Sequence, residues 1–311
     1  MNTTASVPAP DRRSLPTTIP EYLAQLRQAL AGADPAMIQD ALYDAEEYLR
    51  SELAEQSGRS EAEVIAAVAG SYGAPDEVAD IYRQTEVTVN RALRPPLPPK
   101  RRSLAGRFFG VAADPYTYGA LFYMLLAMAT GTFYFTWVVT GASLSVGLLI
   151  LIIGIPLLLL FLMSVRLLSL VEGRIVEVLL GVRMPRRPLY TQRGKTWLAR
   201  IGEMFTDLRT WSAMLYLLLM MPLGIAYFTV VVTLIGVSLG LIVSPLSLVF
   251  PAWEVMGYAD GWSVTHDAPW LLPLLAVAGV LLLFATLHLA RLVGHFHGWL
   301  AKQLLVRDPV V

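Results

Sequence analysis

One stretch of this sequence occurs twice, and that duplication limits what the chain can fold into more than any other feature. Between residues 114–148 and 207–241, at a constant offset of 93, 17 of 35 positions are identical. The shared set includes Asp114/Asp207, Thr117/Thr210, Tyr123/Tyr216, Gly131/Gly224, Tyr134-Phe135-Thr136 against Tyr227-Phe228-Thr229, Thr140/Thr233 and Ser145-x-Gly147 against Ser238-x-Gly240. Two copies at so long a period describe a duplicated membrane unit rather than a solenoid of short repeats.

Composition agrees. Of 311 residues 55% are hydrophobic and 15% charged, where a soluble domain carries about 25% charged residues. The zero net charge hides two unlike halves. Residues 1–94 hold 8 Lys/Arg against 15 Asp/Glu, a net −7, and residues 95–311 hold 16 against 9, a net +7. An acidic soluble part is followed by a basic membrane part. Cysteine is absent, which excludes disulfides, thiolate nucleophiles and cysteine metal sites. No apolar run stands in the first hundred residues, so no cleavable signal peptide is expected.

Residues 1–17 read as a disordered tail rich in Pro, Thr and Ser. Four helices with recognisable ends follow. Thr18-Ile19-Pro20-Glu21 fits a capping box, and Asp34-Pro35 starts a longer helix with an apolar stripe of Met37, Ile38, Ala41, Leu42, Ala45, Tyr48, Leu49 and Leu53. Asp40, Asp44, Glu47, Glu52 and Glu55 crowd the rest of that helix and are the candidate partner-binding residues. Ser60-Glu61-Ala62-Glu63 is a second capping box, and Pro75-Asp76-Glu77 suits the first turn of a fourth helix. Tyr22-Leu23-x-x-Leu26, the acidic second helix, Gly58-Arg59-Ser60 and Tyr72-Gly73-Ala74-Pro75-Asp76-Glu77-Val78-Ala79 together resemble the HAAS-type helical domain over about residues 18–92. The resemblance implies a small signalling module associated with PadR-like transcription regulators. It departs at Ala74, where that family usually has Asp, and the missing side-chain cap costs on the order of 1 kcal/mol.

Residues 93–107 form a basic, proline-rich linker. Spans are expected at about 118–140, 143–165, 211–234 and 270–290. Basic residues flank the first span, residues 166–209 carry a net +5, and Arg291, Lys302 and Arg307 lie near the end. The positive-inside rule puts all three regions in the cytoplasm. An even number of crossings results, with 236–253 dipping into the membrane and returning; repeat symmetry favours five crossings instead. Trp197, Leu198, Ile201, Met204, Phe205 and Leu208 share one face of an amphipathic helix lying in the headgroup plane or against the protein's own base.

Residues 105–305 resemble the bacterial "putative sensor" membrane domain through Gly154-x-Pro156 and the leucines after it, Arg174, Gly181-Val182, Asp207-Leu208-Arg209-Thr210-Trp211 and Tyr216-Leu217-Leu218-Leu219. That resemblance implies a cytoplasmic C-terminus and a sensing role, often upstream of histidine kinases. The fold class expected is all-α: a polytopic helical membrane protein with a duplicated transmembrane hairpin (108–305) and an N-terminal soluble helical bundle, in the bacterial cytoplasmic membrane with both termini inside.

Zinc-protease, P-loop and dinucleotide motifs are absent, so no catalytic, cofactor or metal site is expected. His288, His295 and His297 read as interfacial histidines. No Asp, Glu, Lys, Arg or His falls within 118–165, 211–253 or 270–287, which argues against a carrier of charged substrates. The outer segment offers Glu254, Tyr258, Asp260, Trp262 and Asp267 as candidate ligand-sensing residues, aromatic surface beside carboxylates that suit a cationic group. Expected partners are the lipid bilayer, a cytoplasmic regulator and a second copy of the chain, with no direct nucleic-acid binding; a small-molecule permease or a membrane scaffold is the alternative.

Overall fold

The computed structural model describes residues 16–56, 58–93, 103–151, 153–186, 207–250 and 261–306. The tail, most of the linker and the amphipathic stretch from Trp197 to Phe205 lie outside them. No strand occurs among the described residues, and the chain divides into two compact units at Leu93.

The first unit holds α1 (Ile19–Ala29), α2 (Pro35–Glu55), α3 (Glu61–Ser71) and α4 (Pro75–Leu93). Each start has its chemical reason. Asp34 caps α2 by accepting from Ala36 N, and Ser60 and Glu63 close the full capping box of α3. Thr18 accepts from Glu21 N, but Glu21 reaches back to Thr17 rather than to Thr18, so only half of the first box forms. At α4, where Ala74 offers no cap, the Glu77 carboxylate accepts from Ala74 N at 3.0 Å and supplies the other half of a box. Gly73 before it has φ +113°, a left-handed value that glycine adopts at little cost, and its carbonyl accepts from the buried Tyr22 hydroxyl at 2.8 Å. Tyr22, Leu26, Leu30, Ala41, Ala45, Leu49, Ile65, Val68 and Val78 form one closed core.

In the second unit Leu104–Ala113 is a short apolar helical segment: α5 (Leu104–Phe109) and a 3₁₀ turn. Four helices long and apolar enough to cross a membrane follow: α6 (Pro115–Gly147), α7 (Gly154–Leu180), α8 (Leu208–Val243) and α9 (Leu271–Leu305). Asp114 and Asp207 cap α6 and α8 in the same way, each accepting from the backbone N–H two residues on.

Two expectations are corrected. Residues 236–243 do not dip and return; they complete α8, which a 3₁₀ turn at Ser244–Leu248 extends. The spans are also longer than their apolar cores. α7 runs on through Arg166, Glu172, Arg174 and Glu177, and α9 through His288, Arg291, His295 and His297. The argument from missing buried charge therefore fails.

The buried face shows how deep the duplication goes. Thr117, Ala120, Tyr123, Met124, Ala127, Gly131, Tyr134, Val138 and Ser145 are the buried residues of α6, and each has its counterpart 93 residues on in the buried set of α8. The second helices also correspond, at an offset of 125. Gly154, Phe161, Leu162, Val165, Glu172, Gly173 and Val176 of α7 match Gly279, Thr286, Leu287, Ala290, His297, Gly298 and Ala301 of α9, all buried. The difference of 32 residues is an insertion between α8 and α9. Thr136, Thr140, Thr229 and Thr233, although repeated, are exposed on the outside.

Candidate functional site

The two repeats meet backbone to backbone. A Cβ on Gly131 would lie 2.3 Å from the Met220 carbonyl oxygen, and one on Gly224 would lie 2.2 Å from that of Ala127. These are one contact seen twice, since Ala127 and Met220 are themselves counterparts, so an approximate two-fold relates the hairpins. Glycine is required because any side chain would separate the helices.

Beside this contact the repeated tyrosines converge on the corresponding pair Glu172 and His297. Tyr123 donates to Glu172 Oε1 at 2.7 Å, Tyr216 to the same oxygen at 3.2 Å, and Tyr134 to Oε2 at 3.0 Å. His297 Nε2 lies 2.6 Å from the Tyr123 hydroxyl and 2.8 Å from that of Tyr216, and Nδ1 lies 3.3 Å from Tyr227. Glu172 and His297 are fully buried. Each phenol has one proton to give. With Tyr123 and Tyr216 donating to the carboxylate, the imidazole Nε2–H donates to them, and Tyr227 donates to Nδ1. A directed chain of hydrogen bonds then runs from Tyr227 of α8 through His297 of α9 to Tyr123 of α6 and Glu172 of α7. All four membrane helices are tied at one point.

A second pair of contacts flanks it. Arg166 of α7 donates to Asp207 at 3.0 Å and to the Thr210 hydroxyl at 3.0 and 3.1 Å; its counterpart Arg291 of α9 pairs with Asp114 at 3.2 Å. In each case the second helix of one repeat holds the first turn of the other.

None of this cluster was proposed from sequence. The tyrosines were visible as repeats, but Glu172 and His297 align only at the offset of 125, where Arg166/Arg291 and Gly173/Gly298 accompany them. His288 and His295 bond the carbonyls of Phe108 and Arg291. Among the described residues no group of three His, Asp or Glu is placed to hold a metal.

Of the ligand-sensing candidates, Glu254, Tyr258 and Asp260 lie outside the described residues. Trp262 and Asp267 are exposed, and Asp267 accepts from Ser263 N at 2.7 Å as part of a short helical turn, Val264–Asp267. Of the acidic residues of α2, Asp40 is buried and Asp44 accepts from the Tyr82 hydroxyl at 2.7 Å, so both serve the domain's interior. Burial, and then Asp44, hold the Tyr82 hydroxyl well above the ordinary tyrosine range. Glu52 is half-buried and accepts from Gln56; Glu47 and Glu55 are exposed.

Comparison with known proteins separates the same two parts. Residues 21–80 match the HAAS family and residues 123–305 match the family described as "Putative sensor". No curated protein and no solved structure matches the chain. Both families indicate a signalling role, here in a membrane-embedded chain. With more than half of its length in that match, the chain belongs to the "Putative sensor" family.

Proposed function

We propose that this protein is a non-catalytic membrane sensor in which a stimulus shifts one hairpin repeat against the other, and in which the HAAS domain delivers the result to a cytoplasmic regulator. The observation that carries this reading is the buried hydroxyl–carboxylate–imidazole network drawn from all four membrane helices at the junction of the repeats. A buried polar network is costly when half satisfied, so it favours discrete arrangements over gradual deformation, and close-packed interfaces switch between such arrangements. Input belongs to the bilayer or to the outer segment around Trp262 and Asp267, with Glu254, Tyr258 and Asp260 as further candidates. Output belongs to the exposed carboxylates Glu47 and Glu55 of α2, and a PadR-like transcription regulator is the partner class that the HAAS family suggests. The basic residues before the first span favour a cytoplasmic N-terminal domain in a bacterial inner membrane.

The test is capture of a neighbouring transcription regulator by the intact protein and by residues 1–94, each with and without Glu47→Lys/Glu55→Lys. Capture by both and loss with the double substitution supports the reading. Capture by neither, or recovery of transport or envelope components instead, sinks it. A second reading, a proton-coupled carrier, draws on Glu172 and His297 as buried ionisable residues within spans. Substrate-dependent flux in liposomes that Glu172→Gln abolishes would favour that carrier.

A further inference from the structure

We propose a phosphate-binding site at the foot of the first span, in the cavity of about 740 Å³ between Leu104–Ala113 and α9. Its natural ligand is an anionic phospholipid headgroup or free phosphate. Arg107, His288 and Arg291 line the cavity, and Asp114 is the one carboxylate among the lining residues. Asp114 is already engaged. One oxygen caps α6 and the other takes Arg291. His288 is held against the Phe108 carbonyl at 3.0 Å and stacks on the Phe108 ring. Arg107 is exposed, and its guanidinium makes no ion pair or hydrogen bond among the described residues.

The two-fold supplies an independent argument. In the second repeat Arg166 donates to both Asp207 and Thr210, and the pair is closed. In the first, Arg291 reaches Asp114, while the fully buried Thr117 hydroxyl, counterpart of Thr210, has no partner among the described residues. Arg291 thus keeps donors that Arg166 spends on threonine, and its side chain is 46% exposed where that of Arg166 is 31% exposed. Two guanidiniums, one anchored and one unpaired among the described residues, present forked donors suited to phosphate oxygens. The surroundings are apolar, as a headgroup with its chains requires. Phe108 and Phe109 rest on Phe284, and Leu104 is exposed beside them.

The experiment uses the full-length protein in detergent with an equimolar mixture of phosphatidylglycerol and phosphatidylcholine, and native mass spectrometry reads the retained lipid. The expected result is preferential retention of phosphatidylglycerol by the native protein and by Arg174→Gln, and equal retention of the two lipids by Arg107→Gln. Inorganic phosphate forms the second arm. If thermal stabilisation by phosphate disappears in Arg107→Gln while neither lipid is preferred, the site stands and its ligand is the free anion. Lipid preference and phosphate stabilisation both unchanged in Arg107→Gln, or both absent from the native protein, would overturn the proposal.

Discussion

Glu172 accepts from three tyrosines and so decides whether three buried hydroxyls are satisfied. Replacing it by leucine strands those donors, and each buried group left unpaired costs roughly 1–3 kcal/mol. Glu172→Gln keeps an acceptor oxygen and should be much milder. Melting of the detergent-solubilised protein distinguishes them; equal melting of both variants would mean that the tyrosines find other partners. In the soluble unit Tyr82 gives a pH prediction. Its raised value means the folded domain holds the phenol neutral, so its stabilisation is complete below the unfolded tyrosine range near 10 and is lost as pH rises from there toward the higher folded value. Tyr22 is raised as well, mainly by burial. Tyr82→Phe should therefore reduce, without abolishing, the fall in urea midpoint above about pH 10.

At the scale of elements, α6 and α8 depend on absent side chains. A methyl at Gly131 or Gly224 meets a backbone carbonyl that cannot move without its helix, whereas one at Gly236, in the interior of α8, meets nothing within 4 Å. Gly131→Ala and Gly224→Ala should each destabilise by about 1–3 kcal/mol, as overpacking does. Gly236→Ala should be neutral or stabilise by up to about 1 kcal/mol through helix propensity. Thermal melts of the three variants check this. Unlike outcomes for Gly131 and Gly224 would show that the two-fold does not extend to the energetics. The start of α4 teaches a related point: the missing cap at Ala74 was legible, but the compensating bond from Glu77 required the backbone turn at Gly73 to be seen.

At the scale of the whole molecule, the closed core of the first unit predicts that residues 16–93 fold alone. Circular dichroism should show a helical fragment with one cooperative thermal transition. A non-cooperative melt would mean that its core is incomplete. The division into an acidic helical domain and a duplicated membrane domain was determined by the sequence itself, because hydropathy, charge and capping residues act locally and repeat identity needs no structure. The soluble core followed from the same periodicity: Met37, Ile38, Ala41, Ala45 and Leu49 are buried as their spacing requires. What only the tertiary structure decided is the polar junction. Glu172 and His297 correspond only at the offset of 125, out of step with the duplicated tyrosines, carry unlike side chains and lie beyond the purely apolar runs, so the pattern at the offset of 93 does not mark them. Three-dimensional packing makes them equivalent, since burying either one requires hydroxyls from helices far apart in the chain, and the duplicated tyrosines provide those hydroxyls.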